Sequence, residues 1–155
     1  MPDLQPLSML LQHCERGRDA AEADHRRRQA LSDAAVAQCE QLRGYRQEYE
    51  QRWAGQFRVA SPIELVHCYQ SFTQRLALAI EQQARIAEHA AQQLERARTA
   101  LLDAEMRCAS ARKLIERRRL EQRLGAERRE QKQTDEAASR AAWTRLAATR
   151  PAPLM

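Results

Sequence analysis

The residues of this 155-residue chain best suited to chemistry are four cysteines and four histidines, and two of each fall in adjacent pairs, His13-Cys14 and His67-Cys68. Thiolate and imidazole are the donors of structural zinc. Such sites draw four ligands from tight local spacings, whereas Cys14, Cys39, Cys68 and Cys108 stand far apart with no Cys-x-x-Cys pair. Cys14 and Cys108 instead fall on apolar stripes, where a free thiol behaves as a small hydrophobe. Paired carboxylates, a Ser-His-Asp set and a glycine-rich phosphate loop are missing, and the four glycines stand singly. No catalytic residue, metal ligand or cofactor is expected, and the chain reads as a non-enzyme.

The elements that must carry these residues follow from composition. Leu, Ile, Val and Phe together number 26, about 17% of the chain, too few to fill a compact core. Ala, Glu, Lys, Leu and Arg number 86, about 55%, which is the composition of long helices and coiled coils. The net charge of +5 comes from Arg, with acidic residues interleaved, and that interleaving weakens a nucleic-acid reading. No secretory h-region and no run of 18 apolar residues is present, so a reducing cytoplasm is the expected compartment.

Proline occurs only at 2, 6, 62, 151 and 153, leaving two long stretches in which a helix runs unbroken. Ser61-Pro62-Ile63-Glu64 predicts a helix start, with Ser61 as N-cap, Pro62 at the first helical position and Glu64 completing a capping box; Gly55 is a terminator for the preceding helix. The expected organisation is a single coiled-coil domain over 1–155. Helix one covers about 7–54, the loop 55–61, helix two 62–147 and a flexible tail 148–155.

Helix two shows a 3-4 stepping through 66, 69, 73, 76, 80, 83, 87, 90, 94, 97, 101, 104, 108, 111 and 115, and thirteen of these fifteen residues are apolar or small. A 3.5-residue repeat held this long is a coiled-coil seam. Helix one carries a rougher seam through Leu7, Leu11, Cys14, Ala21, Ala35, Cys39, Leu42, Tyr49 and Trp53, with weak packing expected at Asp24–Arg28 and further doubt at Gly17. The predicted fold class is all-α: a long two-helix antiparallel coiled-coil hairpin with an overhanging C-terminal helix. If the turn centres near 60 and 61, opposed residues sum to about 121. Residues from about 115 onward then overhang as a charged single helix, supported by i,i+4 pairs such as Glu127 with Gln131, and helix two as a whole is a rod of about 130 Å.

Near the loop, Gln38, Leu42, Tyr45 and Tyr49 step 4-3-4, as do Phe72, Leu76, Ala79 and Gln83, and each opposed pair sums to 121. Five of the seven aromatics (Tyr45, Tyr49, Trp53, Tyr69, Phe72) lie in this stretch. Some pack the hairpin end; the alternative is an exposed aromatic patch of the kind that marks a binding site.

Leu42-x-x-Tyr45-x-x-x-Tyr49 and Tyr69-x-x-Phe72-x-x-x-Leu76-x-x-Ala79-Ile80-Glu81-Gln82 are similar to patterns of the flagellar FliJ family. Glu127-Arg128-Arg129-Glu130-Gln131-Lys132-Gln133-Thr134-Asp135-Glu136-Ala137 resembles that family's C-terminal signature, while residues 2–30 carry no motif of it. The resemblance implies a coiled-coil component of the flagellar type III export apparatus, serving motility and chemotaxis from the cytoplasm and peripherally associated with the inner membrane. It implies binding and stimulation of the hexameric export ATPase, contact with the cytoplasmic domain of the membrane-embedded export gate, and handling of substrate-specific chaperones. On this basis Gln38, Leu42, Tyr45, Tyr49, Phe72, Leu76, Ala79 and Gln83 are the expected gate-binding residues. Arg117, Arg118, Lys132, Asp135 and Glu136 are the expected ATPase-binding residues. A monomer without nucleic acid is expected. An injectisome stalk, a basic nucleic-acid-binding coiled coil and a structural homodimer are the alternatives.

Overall fold

A computed structural model describes residues 4–57 and 62–153. The described residues form two α-helices and no strand: α1 (Gln5–Phe57, 53 residues) and α2 (Ile63–Ala148, 86 residues). The all-α two-helix reading therefore holds. The Ser61 N-cap lies outside the described residues. The helix begins at Ile63, one residue later than a Pro62 start, because the Pro62 carbonyl accepts from the amides of Leu65 (3.1 Å) and Val66 (3.3 Å). Proline thus sits where its missing N–H costs nothing, and Glu64 adds an acidic side chain to the positive end of the helix. α2 closes with the Thr149 amide and hydroxyl both donating to the Arg145 carbonyl at 3.1 Å, ahead of Pro151. Gly55 does not terminate α1. It lies within the helix with no left-handed φ, and the helix runs on to Phe57.

The chain divides into two compact units, one made of His13–Cys108 and the other of Met1–Gln12 with Ala109–Met155. In the first, α1 and α2 pack antiparallel. The contacts fall in opposite chain order: Trp53 meets Tyr69, Tyr49 meets Phe72, and Gln83 reaches back to Ala35 and Gln38. Both of these Gln83 partners lie within the turn that precedes Cys39. Tyr49/Phe72 and Gln38/Gln83 sum to the expected 121, and the seam pair Trp53/Tyr69 to 122.

All fifteen expected seam positions of α2 are buried or half-buried, with Leu76, Ile80, Ala97, Cys108, Ala111 and Ile115 in the core. On α1 the same 3-4 stepping continues through the polar stretch. Arg18, His25 and Arg28 are half-buried and Ser32 is 7% exposed. The helix does not break there, because Asp24 holds both Arg27 and Arg28, and Glu22 pairs with Arg26 at 2.7 Å. Opposite this stretch the α2 seam is mostly alanine, whose small side chains leave room for long polar ones to lie along the interface.

In the second unit, Ala111 and Ile115 are buried and Leu4, Leu7 and Leu11 half-buried. Among the described residues none after Ile115 is buried, so residues 116–148 are an exposed helix. Gln131 donates to Asp135 (3.0 Å) rather than pairing with Glu127, and Glu136 pairs with Arg140 at 3.9 Å.

Candidate functional site: two interaction surfaces

The loop-proximal residues divide by their place on the heptad. Leu42, Tyr49, Leu76 and Gln83 are seam residues; Leu76 is buried and the other three half-buried. Gln38, Phe72 and Ala79 each immediately precede a buried or half-buried seam residue (Cys39, Thr73 and Ile80), and Tyr45, seven residues on from Gln38, lies on the same flank. Tyr45 is 43% and Phe72 37% exposed, Gln38 is exposed and Ala79 half-buried.

The structure brings two of the four proposed pairs into direct contact. Gln83 Nε2 donates to Gln38 Oε1 (3.2 Å) and to the Ala35 carbonyl (3.3 Å). Tyr49 and Phe72 stack at 4.8 Å between ring centroids, tilted by 56°. Leu42 and Ala79 are both half-buried. In the fourth pair, Leu76 is shielded from solvent while Tyr45 stands in it, its hydroxyl accepting from Gln41 Nε2 at 3.0 Å. Trp53 and Tyr69 add a second tilted ring pair at 5.0 Å. Most of the aromatic surface thus closes the hairpin, and an apolar flank remains.

That flank extends past the eight residues. Leu65 (40% exposed), Phe72, Ala79 and Ile86 (51%) recur every seven residues on α2, and Leu31 (53%), Gln38 and Tyr45 do so on α1. Leu31, Leu65 and Ile86 were missed by pairing aromatic motifs. Their signal is the period of seven itself, an apolar column beside the seam where solvent-facing coiled coils carry charge.

The second surface lies in the other unit. Arg117, Arg118, Lys132, Asp135 and Glu136 are all exposed on α2. Residues 109–155 hold twelve Lys and Arg against six Asp and Glu, so the basic excess of the whole chain resides there. Interleaving of signs is local, and the balance between segments is not even. Exposed apolar side chains join the charge: Leu120 (48%), Leu124 (43%), Trp143 (75%) and Leu146 (64%). Charge motifs alone pass over these four.

Among the described residues no group of three or more His, Cys, Asp or Glu is placed to hold a metal ion, and no helix is long and apolar enough to cross a membrane. All four cysteines are free thiols, Cys39 and Cys108 buried, Cys14 half-buried and Cys68 exposed.

No curated protein and no solved structure matches the chain. A family model described as the flagellar FliJ protein matches residues 3–147, nearly the whole length and including the stretch 3–30 in which no family motif was visible. A match of that extent over a two-helix antiparallel fold places the chain in the flagellar FliJ family, with a role in flagellar protein export.

Proposed function

We propose that this chain is a non-catalytic coupling component of the flagellar export apparatus, binding the hexameric export ATPase through one surface and the cytoplasmic part of the export gate through another. The family match favours the flagellar system over an injectisome. The observation that carries the reading is the separation of two exposed surfaces with different chemistry onto different units. Tyr45 and Phe72 stand on an apolar flank within His13–Cys108, and a basic helix bearing Trp143 runs through Ala109–Met155.

In this reading the C-terminal helix supplies Arg117, Arg118, Lys132, Asp135 and Glu136, with Leu120, Leu124 and Trp143, to the ATPase ring. Binding to the assembled hexamer in preference to its subunits favours assembly by mass action, and turnover rises with the population of rings. The flank formed by Gln38, Tyr45, Phe72 and Ala79, backed by Leu42, Tyr49, Leu76 and Gln83, meets the gate. Substrate chaperones are the third class of partner, and the protein works in the cytoplasm at the membrane face of the apparatus.

The double variant Tyr45→Ala/Phe72→Ala tests the division of labour. It should abolish motility while leaving stimulation of the ATPase intact. Loss of stimulation in that variant would show that the two surfaces are not separate.

A further inference from the structure

Two cysteines, Cys14 and Cys108, lie on the seams of the two helices, and both are free thiols. Three contacts fix the register of the His13–Cys108 unit: Trp53 with Tyr69, Tyr49 with Phe72, and Gln83 with Ala35 and Gln38. From the first of these the 3-4 stepping, carried back along both helices past the exposed Arg46, sets Cys14 in a layer with Cys108. Cys108 is the most deeply buried side chain, at 1% exposure, while Cys14 keeps part of its surface in solvent. One turn from Cys14, the Arg18 guanidinium interacts electrostatically with Cys108 as well as hydrogen bonding to Asp19 at 3.1 Å. The thiolate is the form that attacks disulfides.

We propose that Cys14 and Cys108 form a reactive dithiol whose substrate is a low-molecular-weight disulfide of the glutathione type. The half-buried Cys14 thiolate attacks one sulfur of the small disulfide. That disulfide's S–S bond breaks, one small thiol leaves, and a mixed disulfide remains on Cys14. The Cys108 thiolate then attacks Cys14 Sγ, expelling the second small thiol and forming the interhelical cystine. The two cysteines lose two electrons and two protons, and the small disulfide takes up both to become two thiols. The product ties α1 to α2 beside the layers of Arg18, His25, Arg28 and Ser32, where polar side chains occupy the seam and apolar packing is thinnest. A covalent link there constrains the unfolded chain through a long loop, the case in which a cystine stabilises most.

The test incubates the full chain, carrying Cys68→Ser to remove the exposed thiol, with glutathione disulfide, and maps the products by non-reducing electrophoresis and peptide mass spectrometry. The expected product is a monomer in which the Cys14 and Cys108 peptides are joined, with a raised thermal midpoint that returns to the starting value on reduction. Cys108→Ala should stop the reaction at a glutathione adduct on Cys14, and Cys14→Ala should leave Cys108 unmodified. A persistent glutathione adduct on Cys14 with Cys108 present, a link through Cys39, a crosslinked dimer, or no reaction would each overturn the proposal.

Discussion

The rings of Tyr49 and Phe72 lie 4.8 Å apart across the two helices, one half-buried in the seam and the other 37% exposed on its flank. The same ring pair therefore closes the hairpin and props up the surface proposed to meet the export gate. A substitution at Phe72 acts on both, whereas Tyr45, which stands in solvent, reports on recognition alone.

Tyr49→Ala and Tyr45→Ala should separate packing from recognition. Tyr49→Ala removes a half-buried ring and its partner contact and should cost about 2 kcal/mol, within the range for aromatic truncation with a tilted-pair contribution of about 1. Tyr45→Ala should stay within about 0.5 kcal/mol of the parent, as exposed positions do. Urea denaturation followed by circular dichroism gives both values.

Gln83 joins the helices by two hydrogen bonds, one to the backbone of Ala35 and one to Gln38. Gln83→Ala should destabilise by about 1 kcal/mol, the usual net worth of such bonds, and Gln38→Ala by less because the Ala35 bond survives. Equal effects from the two variants in the same denaturation assay would contradict this geometry.

The seam of α2 was legible in sequence because apolar and small residues mark thirteen of its fifteen positions from Val66 to Ile115, and burial follows that pattern position by position. The middle of the α1 seam was not. Arg18, His25, Arg28 and Ser32 occupy layers whose residue types carry no apolar signal, and only their spacing from Cys14 and Ala35 places them there. The exposed column of Leu31, Leu65 and Ile86 was hidden for a related reason: single apolar residues seven apart do not stand out until the seam beside them is known. Trp143 lies beyond the charged run, in an alanine-rich stretch with no apolar periodicity to mark it.

Replacing a polar seam residue should therefore stabilise the chain. His25→Leu sets an apolar side chain opposite the buried Ala97 layer and should raise stability by about 1 kcal/mol, from the apolar area it removes from water. A thermal melt that falls instead would show that His25 is held by interactions the apolar replacement loses.

Residues beyond Ile115 bury no side chain, so ending the chain after Gln122 should leave the denaturation free energy within about 0.5 kcal/mol of the parent. It should abolish binding to the ATPase. In the intact chain that binding should weaken as salt rises, since the basic excess sits on this exposed helix and interactions between exposed charges are screened. Titrations at low and high ionic strength measure the slope.

The central claim is tested most directly by adding the purified chain to the cognate export ATPase and following phosphate release together with ring assembly by sedimentation or electron microscopy. The account predicts faster turnover in step with a larger hexamer population, and neither effect with Trp143→Ala/Arg117→Ala/Arg118→Ala. Unchanged turnover and assembly, at chain concentrations well above micromolar, would contradict it.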